Sequence, residues 1–382
     1  MKLFHLSDLH LGKRINSIPI VEHQKHFLSQ IIEQVRTEQP NAVMIAGDIY
    51  DRSVPSEEAV ALFDDFLYEL SKLKTNVLIV SGNHDSAERL AFGGRIFNKN
   101  GIYISPEYNG KTTCVTLPDE HGGVNFYMLP FVTPSGVRAF FKDKTIENCT
   151  DAIRVAIDEM GVDTAKRNVL ITHLYIEGAV RTEESETRIV GNLEDVDYKV
   201  LDPFDYVALG HLHMAQSIGR ETVRYCGTPM KYTVKEAHHK KSITVVEIPE
   251  KGKEIKIGTI PLVPLLDWKP VIEGKYGDVT DRACDEFVSI CLTDEEMIFD
   301  VRNKLRRYFP NLVSVTYKRE EHRMSPVLEN IESLRKSSPA ELFAEFFKLQ
   351  NDGAEMSEKQ AEIVREIFEE IAGGNKNATD QA

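Results

Sequence analysis

The residues best suited to chemistry stand in five short polar segments, and each segment directly follows a run of apolar residues. Carboxylate, amide and imidazole groups together are typical ligands of Mn²⁺, Fe²⁺ or Zn²⁺. The segments hold no cysteine, which argues against a closed structural zinc site. They therefore predict an open metal centre. Its candidate ligands are Asp8, His10, Asp48, Asn83, His173, His211 and His213.

Seven candidate ligands indicate two ions, because a single ion takes roughly four to six. Asp48 stands alone at its strand end and is the candidate bridge. Two ions roughly 3.5–4 Å apart generate hydroxide near neutral pH and stabilise both oxygens of an in-line displacement, which is chemistry for phosphate esters. Gly47, Gly82 and Gly210 precede three of the segments, and we expect them to let the backbone approach a bulky anion.

Taken singly, each of these residues would more often be a helix cap, a turn residue or a hydrogen-bonded buried histidine. Their recurrence at five strand ends favours the metal centre over that structural interpretation. The strands are predicted from short apolar runs at Leu3–Leu6, Ala42–Ala46, Val77–Val80, Phe126–Leu129, Val169–Ile171 and Tyr206–Leu209. Helical spacing predicts helices over 22–37 and 55–73, and this alternation is typical of a layered α/β domain.

The second part of the chain begins with prolines at 261, 264 and 270, which indicate a change of domain. Strands are predicted at Phe287–Leu292 and Leu312–Tyr317. Between them a capping box, Thr293 to Glu296, predicts the start of a helix. Two more helices are predicted at 339–350 and 357–372. The predicted domains are 1–262 (catalytic), 263–325 (small α/β), 326–372 (C-terminal helices) and 373–382 (flexible tail).

The composition excludes several classes of protein. The chain has 382 residues, 42% of them hydrophobic, with 60 acidic residues against 46 basic and a net charge of −14. No apolar stretch reaches the roughly 20 residues of a membrane span, and no signal peptide is recognisable. The cysteines are odd in number and form no CxxC pair, so we expect reduced thiols in a cytoplasmic protein. Residues 301–325 carry 7 basic and 2 acidic residues, a local positive region.

The motifs DLH at 8–10, GD at 47–48, GNHD at 82–85, TH at 172–173 and GHLH at 210–213 resemble the calcineurin-like metallophosphoesterase superfamily. Their flanks resemble its SbcD family of bacterial repair nucleases. These flanks are LSDLHLG at the start, GDIYDRSVPS at 47–56, SGNHDSAERL at 81–90, SETRIVGN at 185–192 and YCGTPMKYT at 225–233. The resemblance implies a sandwich of two β-sheets flanked by helices, followed by a small α/β capping domain and C-terminal helices.

The resemblance also implies roles for single residues. One ion would be held by Asp8, His10, Asp48 and His213. The other would be held by Asp48, Asn83, His173 and His211. His84 matches a catalytic histidine that contacts the scissile phosphate, and Asp85 would orient its ring. Family members prefer Mn²⁺, act as exonucleases at double-strand ends and as endonucleases on hairpins or single strands, and serve DNA repair, recombination and replication.

The implied partners are DNA, a second copy of the chain and the SMC-like ATPase SbcC, together forming a heterotetramer associated with the nucleoid during repair. Helices over 55–73 and 87–98 would form the homodimer. The candidate DNA contacts are Arg302, Arg306, Arg307, Lys318, Arg319 and Arg323, although such a run is as often a solvated face. The candidate ATPase-docking residues are Leu342, Phe343, Phe346, Phe347, Val364, Ile367, Phe368 and Ile371.

Two other functions remain open at the level of sequence. The first keeps the fold but takes a small-molecule phosphodiester or a phosphoprotein as substrate, and the long segment after the catalytic domain argues against it. The second is a metal-stabilised scaffold without activity, and the His84–Asp85 pair argues against that. The chain has no GxxxxGK[ST] loop, so any ATP dependence would come from another chain.

Overall fold

The computed structural model describes residues 1–16, 18–181 and 195–318. Of the C-terminal part it describes 343–344, 347, 355–357, 359–364 and 368. The chain divides into two compact units, Met1–Lys318 and Arg319–Ala382. None of the helices in the described ranges is long and apolar enough to cross a membrane.

The strands of the first unit are short and mostly buried. In chain order they are β1 Lys2–Leu6, β2 Arg14–Ile15, β3 Ile18–Pro19, β4 Ala42–Ala46, β5 Asn76–Val80, β6 Ile102–Ile104, β7 Thr113–Asp119, β8 Gly122–Leu129, β9 Arg167–His173, β10 Tyr206–Gly210, β11 Gln216–Ile218, β12 Arg220–Tyr225, β13 Ser242–Glu247, β14 Lys256–Pro261, β15 Ile272–Gly274, β16 Val288–Leu292 and β17 Leu312–Tyr317. All eight predicted strands are present, several of them one to four residues longer than predicted.

The helices cover the outer faces of the sheets. They are α1 Val21–Glu38, α2 Glu57–Lys72, α3 Ala87–Leu90, α4 Gly94–Phe97, α5 Pro134–Arg138, α6 Cys149–Asp158, α7 Tyr276–Thr280 and α8 Val301–Leu305. Short 3₁₀ helices span Asn98–Asn100, Tyr198–Leu201 and Val234–His238. The predicted helices over 22–37 and 55–73 correspond to α1 and α2. Ser56 caps α2, because its hydroxyl accepts from the Ala59 N–H. The side chain of Val60 on α2 is 44% exposed.

Two six-stranded sheets form the sandwich. Their strand orders are β14-β13-β1-β4-β5-β6 and β11-β12-β10-β9-β8-β7. The core between them is filled by side chains from both inner faces, including Met44, Val80, Phe126 and Ile171. Alternate residues of the same strands, such as Val43 and Ile45, face outward and pack with α1 and α2. The strands β1, β4 and β5 are mutually parallel, as are β8, β9 and β10.

The predicted small α/β region has a third sheet with the order β15-β16-β17. Its two predicted strands are confirmed, but the predicted helix start at Thr293 is wrong, since α8 begins only at Val301. The reason is tertiary. The Thr293 N–H donates to the Gly274 carbonyl, and the Asp294 carboxylate accepts from the Tyr276 N–H, so both residues are tied to β15 and α7. Trp268 and Phe287 join this region to the core beside α1.

In the second unit, the predicted helix start at Ser357 is supported by the described residues. The Ser357 hydroxyl accepts from the Gln360 N–H, and the Gln360 side-chain oxygen accepts from the Ser357 N–H. The Ala361 N–H donates to the Ser357 carbonyl. The rings of Phe343 and Phe368 lie 6.3 Å apart. The other predicted docking residues with a described position are Phe347 and Val364. Leu342, Phe346, Ile367, Ile371, Arg319, Arg323 and the SETRIVGN segment lie outside the described residues.

Candidate metal centre

The predicted ligands come together at one edge of the sandwich. Asp8 and His10 follow β1, Asp48 follows β4 and Asn83 follows β5 in the first sheet. In the second sheet His173 ends β9, and His211 and His213 follow β10. Because these strands run parallel within each sheet, all their carboxyl ends reach the same edge.

The backbone at this edge is strained. Asp8, His10, Asp48 and His211 have φ angles of 53°, 42°, 51° and 106°, in the left-handed region that L-residues with a side chain avoid. Such strain persists only where the surroundings impose it, and it is common at functional sites. Strain therefore marks the same residues that the sequence motifs single out.

The glycines at this edge stand where strand ends of the protein lie close together. A Cβ on Gly210 would lie 1.7 Å from the Ala46 carbonyl oxygen, and a Cβ on Gly82 would lie 2.1 Å from Asp48 Oδ1. These glycines thus allow the protein's own strand ends to approach one another. The predicted approach of this backbone to a bulky anion stays a prediction.

Asp8, His10 and His213 form the first cluster of ligand atoms. His213 Nδ1 lies 3.2 Å from Glu236 Oε1. Because a carboxylate only accepts, Nδ1 carries the proton and Nε2 keeps its lone pair. That Nε2 lies 3.2 Å from His10 Nε2. His10 Nδ1 is buried and has no hydrogen-bond partner among the described residues.

The second cluster contains Asp8, Asp48 and His173. His173 Nδ1 donates to the Ala46 carbonyl at 2.9 Å, so its Nε2 is an acceptor. This Nε2 lies 3.0 Å from the Asn83 side-chain oxygen and 3.5 Å from Asp48 Oδ2. Acceptor atoms therefore face one another across a small space, an arrangement that a divalent cation satisfies. The residues present fit the metal centre that the sequence predicts.

Most of the predicted ligands are buried, and the centre is accessible to solvent from the side of Asn83 and His211. Asp8, His10, Asp48, His173 and His213 are at most 4% exposed. Asn83 is exposed and His211 is half-buried. The His211 Nδ1 atom lies 3.2 Å from Asn83 Oδ1. The two solvent-facing ligands thus mark the side from which a substrate can enter.

Burial and neighbouring groups shift the pKa values of several residues at this edge. Burial raises the pKa of Asp8, Asp48 adds to that shift, and His173 and His213 oppose it. Burial and the other imidazoles lower the pKa of His10 and His211 well below the usual range. Burial also acts to lower the pKa of His173, but the carboxylates of Asp48 and Asp8 outweigh it and the pKa is raised. The lowered pKa values keep His10 and His211 neutral, which is the form of imidazole that binds a metal ion.

His84 stands at the rim, with 35% of its side chain exposed. Its Nδ1 lies 3.0 Å from the Asp51 carbonyl oxygen, and its backbone N–H donates to Asp48 Oδ1 at 2.9 Å. Its Nε2 is 4.0 Å from Asp48 Oδ2. The ring is therefore held through Nδ1, which leaves Nε2 for contact with a substrate.

Asp85 does not orient the His84 ring, contrary to the prediction. Its two oxygens instead accept from the backbone N–H groups of Gly82, Ile49 and Tyr50 at 2.9–3.1 Å. Burial and the nearby Asp48 raise its pKa to about 6. Asp85 thus joins the loop after β4 to the loop after β5, and the Asp51 carbonyl positions the ring.

Sequence reasoning missed two acidic residues at this edge. Asp51 belongs to a third cluster with His10 and His84, and its Oδ1 pairs with Lys13 at 2.6 Å. Its place three residues after Asp48, within the GDIYDR motif, was a usable signal. Glu236 binds His213 from a 3₁₀ helix more than twenty residues away along the chain, and no local pattern indicates it.

The candidate DNA contacts with a described position differ in their bonding. Arg302 donates to the Val313 carbonyl at 3.0 Å, and Lys318 pairs with Glu273 at 2.5 Å. Arg306 and Arg307 are exposed, and in the described part of the chain neither guanidinium has an ion-pair partner. These two are thus the cations most available to a ligand.

Comparison with known proteins agrees with this geometry. The calcineurin-like phosphoesterase family matches residues 1–215, and a domain described as the type 5 capsule protein repressor C-terminal domain (SbcD_C) matches residues 261–351. The SbcD component of the SbcCD nuclease of Staphylococcus epidermidis is 33% identical over 376 residues, covering 96% of this chain and 98% of that protein. The chain belongs to the SbcD family of metallophosphoesterases.

The SbcD protein of Staphylococcus saprophyticus is also 33% identical, over 87% of this chain and 89% of its own length. A dimetal phosphatase structure from Danio rerio overlaps 69% of this chain and 96% of its own, with 10% identity and a TM-score of 0.43, too distant to support an argument. Membership of the SbcD family confirms the predicted fold class and the predicted enzyme class, a hydrolase of phosphodiester bonds that belongs to a family of metal-dependent enzymes.

Proposed function

We propose that this chain is the nuclease component of an SbcCD-type complex, a Mn²⁺-dependent exonuclease at double-strand DNA ends and an endonuclease on single strands and hairpins. One observation carries the proposal: the seven predicted ligand side chains meet at one edge of the sandwich, where the free His173 Nε2 faces the oxygens of Asn83 and Asp48. The names of the related proteins supply the class of substrate and the partner.

Two divalent ions, Mn²⁺ by the family resemblance, would be held by overlapping ligand sets. Asp8, His10, Asp48 and His213 form the buried set. Asp48, Asn83, His173 and His211 form the set that faces solvent. When bound, such ions supply an activated hydroxide near neutral pH and positive charge opposite the phosphate. Asp48 belongs to both sets, so its removal affects both ions.

His84 would act on the leaving oxygen through its free Nε2. Because Nδ1 donates to the Asp51 carbonyl, Nε2 is unprotonated in the neutral ring and gains its proton only in the imidazolium form. The imidazolium can donate to a phosphate oxygen and pass that proton to the departing 3′ or 5′ oxygen. Asp85 supports this by holding the loop that carries His84.

The predicted domain boundaries belong to this proposal, with a nuclease domain over 1–262 and a capping domain over 263–325 that contacts DNA. Arg306 and Arg307 are its strongest candidate phosphate contacts, because they are exposed and have no ion-pair partner in the described ranges. Replacing either by Gln should weaken DNA binding at every sequence and reduce the salt slope by about 1. Lys318→Gln, which removes a cation already paired with Glu273, is the matched control.

The C-terminal helices would dock on an SMC-like ATPase, SbcC. The contact between the Phe343 and Phe368 rings supports a helical pair with an apolar seam. Deleting 338–382 should leave intrinsic DNA cleavage unchanged and abolish capture of the ATPase in a pull-down. Capture that survives the deletion would assign these helices to the protein's own packing.

A homodimer is supported by apolar side chains on the helices predicted to form it. Val60 and Tyr68 on α2 are 44% and 61% exposed, and Phe92 and Ile96 near α3 and α4 are 84% and 68% exposed. Phe92→Asp should shift the sedimentation coefficient towards that of a monomer without changing Mn²⁺ binding. The proposal places the complex in the cytoplasm, at the nucleoid during repair, in agreement with the five free cysteines.

The deciding experiment uses the purified chain with end-labelled linear and hairpin DNA, with and without Mn²⁺, beside a small chromogenic phosphodiester. We expect Mn²⁺-dependent DNA cleavage that disappears in Asp48→Ala. Turnover of the small ester with DNA untouched, even with the ATPase added, would indicate a small-molecule phosphodiesterase of the same superfamily. No turnover of either substrate by an ion-loaded protein would favour the scaffold function.

A further inference from the structure

Glu236 is a buried carboxylate beside the metal centre that belongs to neither proposed ligand set. Its Oε1 lies 3.2 Å from His213 Nδ1 and 3.3 Å from the Tyr232 N–H. Its Oε2 lies 2.5 Å from Lys241 Nζ and 3.3 Å from Thr228 Oγ1. Each oxygen has two partners, so the carboxylate is fixed in one orientation.

The contact with His213 decides which nitrogen of that ring is free. Because Glu236 accepts the proton of Nδ1, the lone pair stays on Nε2, the atom that faces His10. We propose that Glu236 is a positioning residue that holds His213 in the tautomer and orientation needed to bind an ion through Nε2. This inference rests on the proposed function of the centre and extends it to a residue outside the ligand sets.

Lys241 makes a buried ionised Glu236 possible. Its ammonium donates to Glu236, to Thr228 Oγ1 at 2.5 Å and to the His213 carbonyl at 2.9 Å, so all three of its protons are used. A buried ion pair is tolerated when its remaining hydrogen bonds are satisfied in this way. The pair therefore fixes His213 twice, at the ring through Glu236 and at the backbone through Lys241.

The test uses the full ion-free chain and the variant Glu236→Gln. Its amide oxygen can still accept from His213, but the charge is lost and the amide NH₂ faces Lys241. Titration with Mn²⁺, followed by electron paramagnetic resonance of the free ion, should show affinity reduced about 10–100-fold at one site and unchanged at the other. The control is Asp119→Asn, which breaks a buried ion pair at the opposite end of the sandwich.

A second measurement is independent of nuclease activity. In ¹⁵N spectra of the ion-free protein, His213 should show the Nδ1–H tautomer, and Glu236→Ala should give a mixture of tautomers. If Glu236→Gln is unstable, the double variant Glu236→Gln/Lys241→Met removes both charges together. Unchanged tautomer and unchanged ion affinity in a folded variant would overturn the positioning role. A tautomer that responds in a protein without nuclease activity would overturn the proposed function alone.

A second inference comes from a cavity of about 510 Å³ between α1, the loops after β10 and β12, and the segment after β14. We call it the His23 cavity. Three of its lining residues have a buried nitrogen without a hydrogen-bond partner in the described structure: His23 Nδ1, Arg224 Nε and His239 Nδ1. Among the described residues only five side-chain nitrogens are buried without a hydrogen-bond partner, and three of the five belong to residues that line this cavity. An unpartnered buried group costs about 1–3 kcal/mol unless a ligand or water satisfies it.

The charge around the His23 cavity is positive. Its lining carboxylate, Asp267, is paired with Lys231 at 2.8 Å. Arg224 is 3.8 Å from the exposed Glu221, and Lys240 has no ion-pair partner in the part of the chain that the structure describes. We infer that the His23 cavity binds a phosphate-class anion, because cations outnumber carboxylates in its lining and the space is large enough for a phosphate monoester.

The probes are inorganic phosphate and dAMP, titrated calorimetrically into the ion-free chain, which separates a free phosphate site from a nucleotide site. We expect saturable binding of at least one probe, weakened about tenfold in Arg224→Gln and in Lys240→Gln. Lys253→Gln, at an exposed turn outside the cavity, should bind like the unaltered chain. No saturable binding at millimolar concentration, or binding that neither cavity variant changes, would overturn the inference and leave water as the partner of these nitrogens.

Discussion

Both ends of the sandwich bury charged groups, but they treat them in opposite ways. At the amino end of β1, Asp119 meets the N-terminal ammonium at 3.1 Å and Arg167 at 2.5 Å. Arg167 also donates to the carbonyls of Gly122 and Pro249. At the carboxyl end, Asp8 and Asp48 are also buried, but their hydrogen-bond donors among the described residues are neutral: the Ser7 hydroxyl and the backbone N–H groups of His211 and His84. Beside them, the free His173 Nε2 faces the oxygens of Asn83 and Asp48.

The completeness of the partners distinguishes a structural cluster from a binding site. Charges that find all their partners within the chain stabilise the fold and leave nothing for a ligand. Charges held by strained backbone and left facing acceptors destabilise the ion-free protein, and a bound cation recovers that energy. Both ends contain buried charged groups, so the completeness of their partners is the informative quantity.

The largest expected effect comes from Asp48→Asn. DNA cleavage should fall about 10³-fold or more, because both ions of the proposed centre would lose a ligand. The loss of several kcal/mol of charge stabilisation lowers the rate about tenfold for each 1.4 kcal/mol. The ion-free variant should melt at or above the temperature of the unaltered chain, since repulsion with Asp8 and Asp85 is removed. A DNA-cleavage assay checks the first effect, and calorimetry with and without Mn²⁺ checks the melting temperature. A large loss of ion-free stability would contradict the contrast between the two ends.

His84→Ser should reduce cleavage about 10²–10⁴-fold, the usual contribution of a general acid, with both Mn²⁺ affinities near normal. The ring is bound to the chain only through Nδ1, and Nε2 makes no hydrogen bond in the described structure. Single-turnover cleavage and equilibrium ion binding separate these two effects. Cleavage at the unaltered rate would remove His84 from the reaction.

Asp119→Asn should lower the free energy of unfolding by about 3–5 kcal/mol, because it leaves the buried Arg167 without its carboxylate. Ion affinity should not change, since Asp119 lies at the other end of β1. Urea unfolding and Mn²⁺ titration of the same sample check the prediction. Altered ion binding with normal stability would mean that the two ends are not independent.

The smallest effect is a difference in pH dependence. Arg167 holds the pKa of Asp119 below its usual value, so the stability it contributes is present above about pH 4 and is lost as the pH falls further. Burial raises the pKa of Asp85 to about 6, so ion-free stability should fall as the pH rises from about 4 to 6. Asp85→Asn should remove only the second slope, measured by urea unfolding with a chelator present.

Much of the fold and of the centre was predictable because its signals are local. An apolar run that ends in Asp-x-His or Gly-Asn-His-Asp reports a buried strand and the polar residues at its end, whatever the rest of the chain does. Parallel strands then bring their ends to one edge. The helices α1 and α2 were predictable for the same reason, since their buried residues recur with helical spacing.

The sequence by itself determined which residue types stand at the strand ends, and therefore that the chain has a metal-dependent hydrolytic centre. Only the tertiary structure decided the partners. In the folded chain Asp85 accepts from backbone N–H groups, the His84 ring bonds to the Asp51 carbonyl, and Glu236 contacts His213. Helix α8 begins only at Val301, because contacts with β15 and α7 outweigh the local capping signal at Thr293. Propensity and spacing act over a few residues, whereas hydrogen-bond partners are selected by packing across the whole domain.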